Sequence, residues 1–183
     1  MILKALDEYY RHCDELPKMG WMKKKIEYLI VIDESGKLIN IESTRIDKTH
    51  VKEFMIPEES GRTSGIRPYL FNDKLEYICG YNYKQPEKKS ELKNNAFITR
   101  CRQISEKYPD NIGFKAVVRF YDNHGIEQVF VHPVWNELME FTGTVSFRLF
   151  NSFKIIAEDQ ELNNEILNND DNLKEGYCMV TGK

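Results

Sequence analysis

Apolar residues recur along this chain in blocks whose spacing switches between helical and strand-like. Ile2, Leu6, Tyr9 and Cys13 fall at i, i+4, i+7 and i+11, and Leu3 and Tyr10 widen the stripe. That spacing predicts a helix over 2–15, ended by Pro17 and Gly20. Two apolar runs at 28–32 and 37–41 flank Asp33-Glu34-Ser35-Gly36. They predict a β-hairpin, with the late glycine supplying the positive φ of its turn. Residues 51–56 read as a further strand stopped by Pro57, 58–72 as loop, and 75–81 as strand again.

The second half reads differently. After a polar linker at 84–89, Phe97, Cys101, Ile104 and Tyr108 make one face of a helix from Ser90 to Tyr108. Pro109-Asp110 breaks it. A second helix places Phe114, Val117, Val118 and Tyr121 inward and ends before His124-Gly125. A short helix at 134–141 has Pro133 at its first turn. Residues 145–149 alternate as a strand, 159–169 read as a helix and 177–180 as a short strand. Strands first, then helices and a late strand, predict an α+β fold. An N-terminal helix precedes an antiparallel β-sheet or hairpin region, and a helical part with a late strand follows. No internal repeat is present.

Composition bounds the rest. A chain of 183 residues, 41% hydrophobic, is large enough for one core. It has no run of 18 apolar residues and no signal-peptide pattern at its start, so neither a membrane span nor export is expected. Its four cysteines, Cys13, Cys79, Cys101 and Cys178, lie far apart in apolar contexts, which predicts buried thiols in a reduced, cytoplasmic protein. The net charge of -3 argues against a generic nucleic-acid binder. Its distribution is uneven: residues 60–104 hold nine Lys/Arg against four Asp/Glu, while 158–183 hold seven acids and two lysines. A basic middle beside an acidic end faces phosphates on one side, or is ordinary solvated charge.

Most chemistries find no support. His12, His50, His124 and His132 are scattered, with no spacing for a metal site. No phosphate-binding glycine loop, dinucleotide fingerprint or nucleophile elbow occurs. Asp122 with His124, and Asp33 with Glu34, sit in turns, where acids serve capping and solvation. Trp21 beside Lys23-Lys24-Lys25 reads either as a stacking and phosphate patch or as a tryptophan folded over a lysine stem. No catalytic residue, metal or cofactor is expected.

The stretch from Arg62 to Gly80, RTSGIRPYLFNDKLEYICG, is the one candidate site. Arg62, Thr63 and Ser64 offer a guanidinium and two hydroxyls, and Gly65 permits close backbone approach, a set that suits phosphate oxygens. Arg67 adds a second cation. Tyr69 and Phe71 can pack against sugars or bases, and Asn72 and Lys74 can reach acceptors on base edges. The same residues also make a good turn, with Thr and Ser bonding their own backbone and Tyr69 and Phe71 in the core.

Arg62, Thr63, Ser64, Gly65, Ile66, Pro68, Asp73, Tyr77 and Gly80 together resemble a segment of the large subunit of the subtype I-C (Dvulg-type) CRISPR-associated effector complex, Cascade. The opening, with Met1-Ile2-Leu3, Ala5-Leu6 and Tyr9-Tyr10, is similar to that family's start. Gly176-Tyr177-Cys178-Met179-Val180-Thr181-Gly182 resembles a third signature, in the same order. Residues 82–175 match loosely. This chain has Tyr69 and Lys74 where the family commonly has asparagine.

The resemblance implies a single N-terminal domain, 1–183, of a longer protein. Its first part, 1–81, is then mainly β with the first helix and a DNA-facing loop, and 82–183 is mainly helical. It implies a non-catalytic subunit that recognises the target-flanking motif in duplex DNA and aids strand separation. Its partners are then target DNA, CRISPR RNA, the other subunits and a helicase-nuclease recruited afterwards. The DNA-binding set is Arg62, Thr63, Ser64, Gly65, Arg67, Tyr69, Asn72 and Lys74. A scaffold role within the same complex, without DNA contact, is the alternative.

Overall fold

The structure, a computed structural model, describes residues 2–12, 17, 20–47, 50–62, 65–82, 89–140 and 143–169. Helix α1, Ile2–His12, carries the predicted apolar stripe, but that face is exposed: Ile2 is 78% and Tyr9 64% accessible. Strand β1, Trp21–Lys25, pairs antiparallel with β4, Glu53–Pro57. In that ladder Met22 lies opposite Ile56 and Lys24 opposite Phe54. The alternation turns Lys24 to the same side as Met22 and leaves Lys23 and Lys25 exposed.

The main sheet has the order β3-β2-β6-β5. Its centre is β2, Tyr28–Ile32, every residue of which is buried. The hairpin partner β3, Leu38–Ser43, follows as the hydrophobic pattern predicts. In the turn between them the Asp33 carboxylate accepts from the Ser35 and Lys37 amides at 2.9 and 3.0 Å. Gly36 has φ +83°, and a Cβ there would stand 2.3 Å from the Phe120 nitrogen. Both the dihedral and the close approach require glycine.

On its other side β2 pairs in parallel with β6, Thr144–Leu149. The sheet is therefore mixed: the antiparallel hairpin expected from the sequence is present, and the late strand, to which the sequence assigned no partner, adds a parallel pair. A parallel partner more than a hundred residues away leaves no local signature; the continuous apolar run of β2 is its trace.

The edge strand β5, Asn72–Lys74, is three residues long. The chain then forms a helical turn, α2, Leu75–Ile78. This corrects the strand expected over 75–81. Short apolar runs do not discriminate strand from helix, and here the Asn94 amide donates to the Tyr77 and Ile78 carbonyls at 2.8 Å, satisfying the helical end.

Helices α3, Lys89–Lys107, and α4, Ile112–Asp122, match the predicted pair. Phe97, Cys101 and Ile104 are buried as expected; on α4 Phe114 and Val117 are buried as expected, Val118 and Tyr121 are half-buried, and Phe120 is a further buried ring. Phe97, Phe120 and Tyr121 gather around Phe147 of β6 with centroids 5.5–6.5 Å apart. Two short helices follow, α5, Gly125–Phe130, which the sequence did not signal, and α6, Trp135–Met139. A 3-10 turn, Ile156–Glu158, and α7, Gln160–Asn169, complete the described chain. One contiguous core draws on residues from Ile26 to Leu162. Of the linker expected at 84–89, Lys89 opens α3 and residues 84–88 lie outside the described residues, as do the strand expected at 177–180 and the third signature. Among the described residues no helix is long and apolar enough to cross a membrane, and no acid, histidine or cysteine cluster has metal-binding geometry.

Candidate nucleic-acid interface

The loop joining β4 to β5 is held from beneath by one carboxylate. Asp73, whose side chain is 1% accessible, accepts from Arg62 Nη2 and, at 2.8 Å, from the Tyr69 amide; its other oxygen accepts from the Lys74 amide at 2.7 Å. One buried side chain thus fixes the loop at residues 62, 69 and 74. The Arg62 guanidinium lies over the Tyr69 ring at 4.0 Å and over the Tyr77 ring at 4.2 Å. Lys24 Nζ stands 4.2 Å from the Tyr69 centroid and donates to Asn72 Oδ1 at 2.7 Å. Lys93 Nζ stands 5.5 Å from the Tyr77 centroid. Cations and rings therefore alternate from β1 through the loop to α3, each partly desolvated contact adding on the order of 1 kcal/mol.

A second carboxylate holds the outer half. Glu59 accepts from the Leu70 amide at 2.7 Å and pairs with Arg100 of α3 at 2.9 Å. Arg100 Nη1 also donates to the Pro68 carbonyl. Phe71 adopts φ +54°, rare for an aromatic residue. Its ring stacks on Phe114 at 4.7 Å and its carbonyl accepts from Ser146 Oγ at 2.8 Å. These contacts offset a backbone cost of about 1 kcal/mol. Burial pushes the Glu59 and Asp73 carboxyls up from their ordinary range, against the pull of their arginines, and pushes the Lys24 ammonium down.

Above this base the loop displays Gly65, Ile66 and Arg67, all exposed, and Lys74 at the sheet edge. Gly65 has φ +79°, and nothing lies within 4 Å of where its Cβ would stand, so its backbone faces open space. Arg62 and Tyr69 form a ridge between two grooves. The smaller, about 410 Å³, has Lys24, Lys74 and Thr144 on its walls. The larger, about 720 Å³, runs between the loop and helices α3 and α7 and is lined by Arg67, Arg100 and Lys107.

The profile of the family described as CRISPR-associated protein (Cas_Csd1) matches residues 6–183. The chain belongs to this Csd1 family of CRISPR-associated proteins. No curated protein matches it.

Within this Csd1-family chain, the residues singled out from sequence separate into two groups. Gly65, Arg67 and Lys74 are presented outward, and Tyr69 is half-buried on the ridge. Arg62 and Asn72 face inward. Asn72 is 2% accessible, with its oxygen taken by Lys24 and its nitrogen by the Leu70 carbonyl at 2.7 Å. Its amide is therefore not available to base edges in this arrangement. Thr63 and Ser64 lie outside the described residues.

Glu59 and Arg100 belong to the site and were not singled out from sequence; Tyr77 entered only through the family resemblance, and Lys24 only within the basic run 23–25, apart from the loop. Arg100 falls at i+3 from Phe97, beside the apolar face of α3, which was a usable signal. Lys24 was hidden in a basic run whose strand alternation was not legible. The other suggested groupings are structural: Asp122 pairs with Arg102 at 2.7 Å, and Asp33 closes its own turn.

Proposed function

We propose that this chain is the N-terminal part of the large subunit of a subtype I-C effector complex, recognising the target-flanking motif in duplex DNA and aiding strand separation. It does so without catalysis, in the cytoplasm, alongside guide RNA and the other subunits, before a helicase-nuclease is recruited. The observation that carries this reading is the contrast within one loop. Arg62, Asp73 and Asn72 are spent on internal contacts, while Gly65, Arg67 and Lys74 are displayed on the base they create. A prearranged donor surface suits a ligand read by fixed donors and acceptors. Arg67 and the Gly65 backbone contact phosphates; Lys74, beside Tyr69, reaches the base edges.

The exposed apolar face of α1 favours a second reading, a protein-docking scaffold within the same complex. Crosslinking with a photoreactive duplex carrying the flanking motif separates the two. Crosslinks to residues 65–74 are expected; crosslinks that avoid this segment favour the scaffold.

A further inference from the structure

We infer that β1 is an open pairing edge that takes an extended acidic segment of a partner protein as a third strand of the β1–β4 sheet. This edge is separate from the loop and does not depend on its DNA reading. The ladder fixes which way each residue of β1 faces. The Gly20 carbonyl accepts from the Glu58 amide at 2.8 Å, and the Ile26 amide donates to the Lys52 carbonyl at 3.4 Å. Bonded and non-bonded positions alternate in an antiparallel pair, so Met22 and Lys24 bond to β4 between these two ends. Pro57, opposite Trp21, has no N–H and stands at a non-bonded position, as this phase requires. The N–H and C=O groups of Trp21, Lys23 and Lys25 therefore point away from β4. Among the described residues no other strand pairs with β1, whereas β4 packs against the 3-10 turn and α7.

A two-stranded sheet with an open edge is a template for a further strand. The side chains along the edge select its chemistry. Trp21, Lys23 and Lys25 share one face, opposite to Met22 and Lys24. Lys23 and Lys25 are exposed, and Trp21 is half-buried beside them. Glu53 stands opposite Lys25 in the ladder, yet neither lysine makes an ion pair among the described residues. Edge lysines repel a basic strand and add nothing for an uncharged one. An acidic strand gains charge pairing in addition to its main-chain bonds. In antiparallel addition, the residues opposite Lys25, Lys23 and Trp21 are alternate residues of the partner, in that order from its N-terminal side. The pattern that fits this edge is thus acid, acid, apolar at alternate positions.

NMR titration of the 183-residue protein tests the pairing. The probe is a seven-residue peptide with glutamate at its second and fourth positions, leucine at its sixth and threonine elsewhere. Residues opposite Lys23 and Lys25 form bonded pairs with them, so both glutamate amides face β1 and the two intervening threonine amides face solvent.

The peptide is expected to shift the amides of residues 21–25. N-methylation of the glutamate amides is expected to weaken binding roughly tenfold or more, and N-methylation of the intervening threonine amides to leave it nearly unchanged. Lys23→Glu and Lys25→Glu are each expected to weaken binding roughly three- to fivefold at low salt and little at high salt, with Lys154→Glu, at an exposed lysine elsewhere, near the parent. Equal binding of the two methylated peptides means that the lysines hold polyanions by charge alone, and overturns the inference. A titration that shifts no amide of β1 overturns it too, as do Lys23→Glu and Lys25→Glu proteins that bind like Lys154→Glu.

Discussion

Arg62 and Asp73 form a partly buried ion pair beneath the loop, with the guanidinium held between the Tyr69 and Tyr77 rings. Removing one partner leaves the other charge uncompensated. Arg62→Ala and Asp73→Asn are each expected to destabilise the fold by about 3 kcal/mol in urea unfolding. Arg62→Lys keeps the charge but loses the planar fork and the stacking, so it recovers only part of that loss. A cost below about 0.5 kcal/mol, the size of a surface substitution, contradicts the clamp.

Lys24 links β1 to the loop through Tyr69 and Asn72. Lys24→Met keeps the stem and removes a buried charge while leaving the Asn72 oxygen unpaired. These effects oppose, so the net stability change is expected to stay within about 1 kcal/mol. Its larger effect is on the loop: discrimination between flanking motifs in the assembled complex falls while affinity for unrelated duplex is retained. Unchanged discrimination removes Lys24 from the site.

Glu59 gives the protein a specific pH response. Burial raises its carboxyl above the ordinary value of 4.5, so the folded state holds this proton more tightly than the unfolded state. Its titration contributes stability in acid that is lost as pH rises through the folded value. Glu59→Gln does not titrate. The parent is therefore expected to gain stability relative to Glu59→Gln as pH falls from neutrality toward 4.5, measured by denaturant unfolding at several pH values. A constant difference, or one that shrinks on acidification, means that the Arg100 pairing outweighs burial.

Cys79 and Cys101 are buried free thiols. Burial pushes the Cys79 thiol up to about 12 and the Cys101 thiol well above its usual value. Both are expected to resist iodoacetamide in the native protein at pH 8 and to react in urea, as read by mass spectrometry. Rapid native labelling of either contradicts the packing of α3 against α2.

Much of this fold was legible because its signals are local. The β2–β3 hairpin follows from two apolar runs and a glycine turn, and α3 from Phe97, Cys101 and Ile104 at helical spacing. The parallel β2–β6 pairing, the three-residue β5 and the turn of α2 are set by tertiary contacts, such as Asn94 with the Tyr77 and Ile78 carbonyls. The site divides the same way. Arg62 to Lys74 was visible as a donor-rich loop, and exposed Arg67 and Lys74 were visible as cations. The inward turn of Asn72 was not, because it depends on Lys24, forty-eight residues earlier in the chain.

The claim that this loop reads a flanking motif is tested most directly by target binding of the assembled effector complex. The measured quantity is the affinity ratio between the preferred and an altered flanking motif, compared for the parent, Lys74→Ala and Arg67→Ala. Lys74→Ala is expected to reduce the ratio about tenfold. Arg67→Ala is expected to weaken both targets alike and to lower the salt dependence. An unchanged ratio in Lys74→Ala, with target binding intact, would contradict the account.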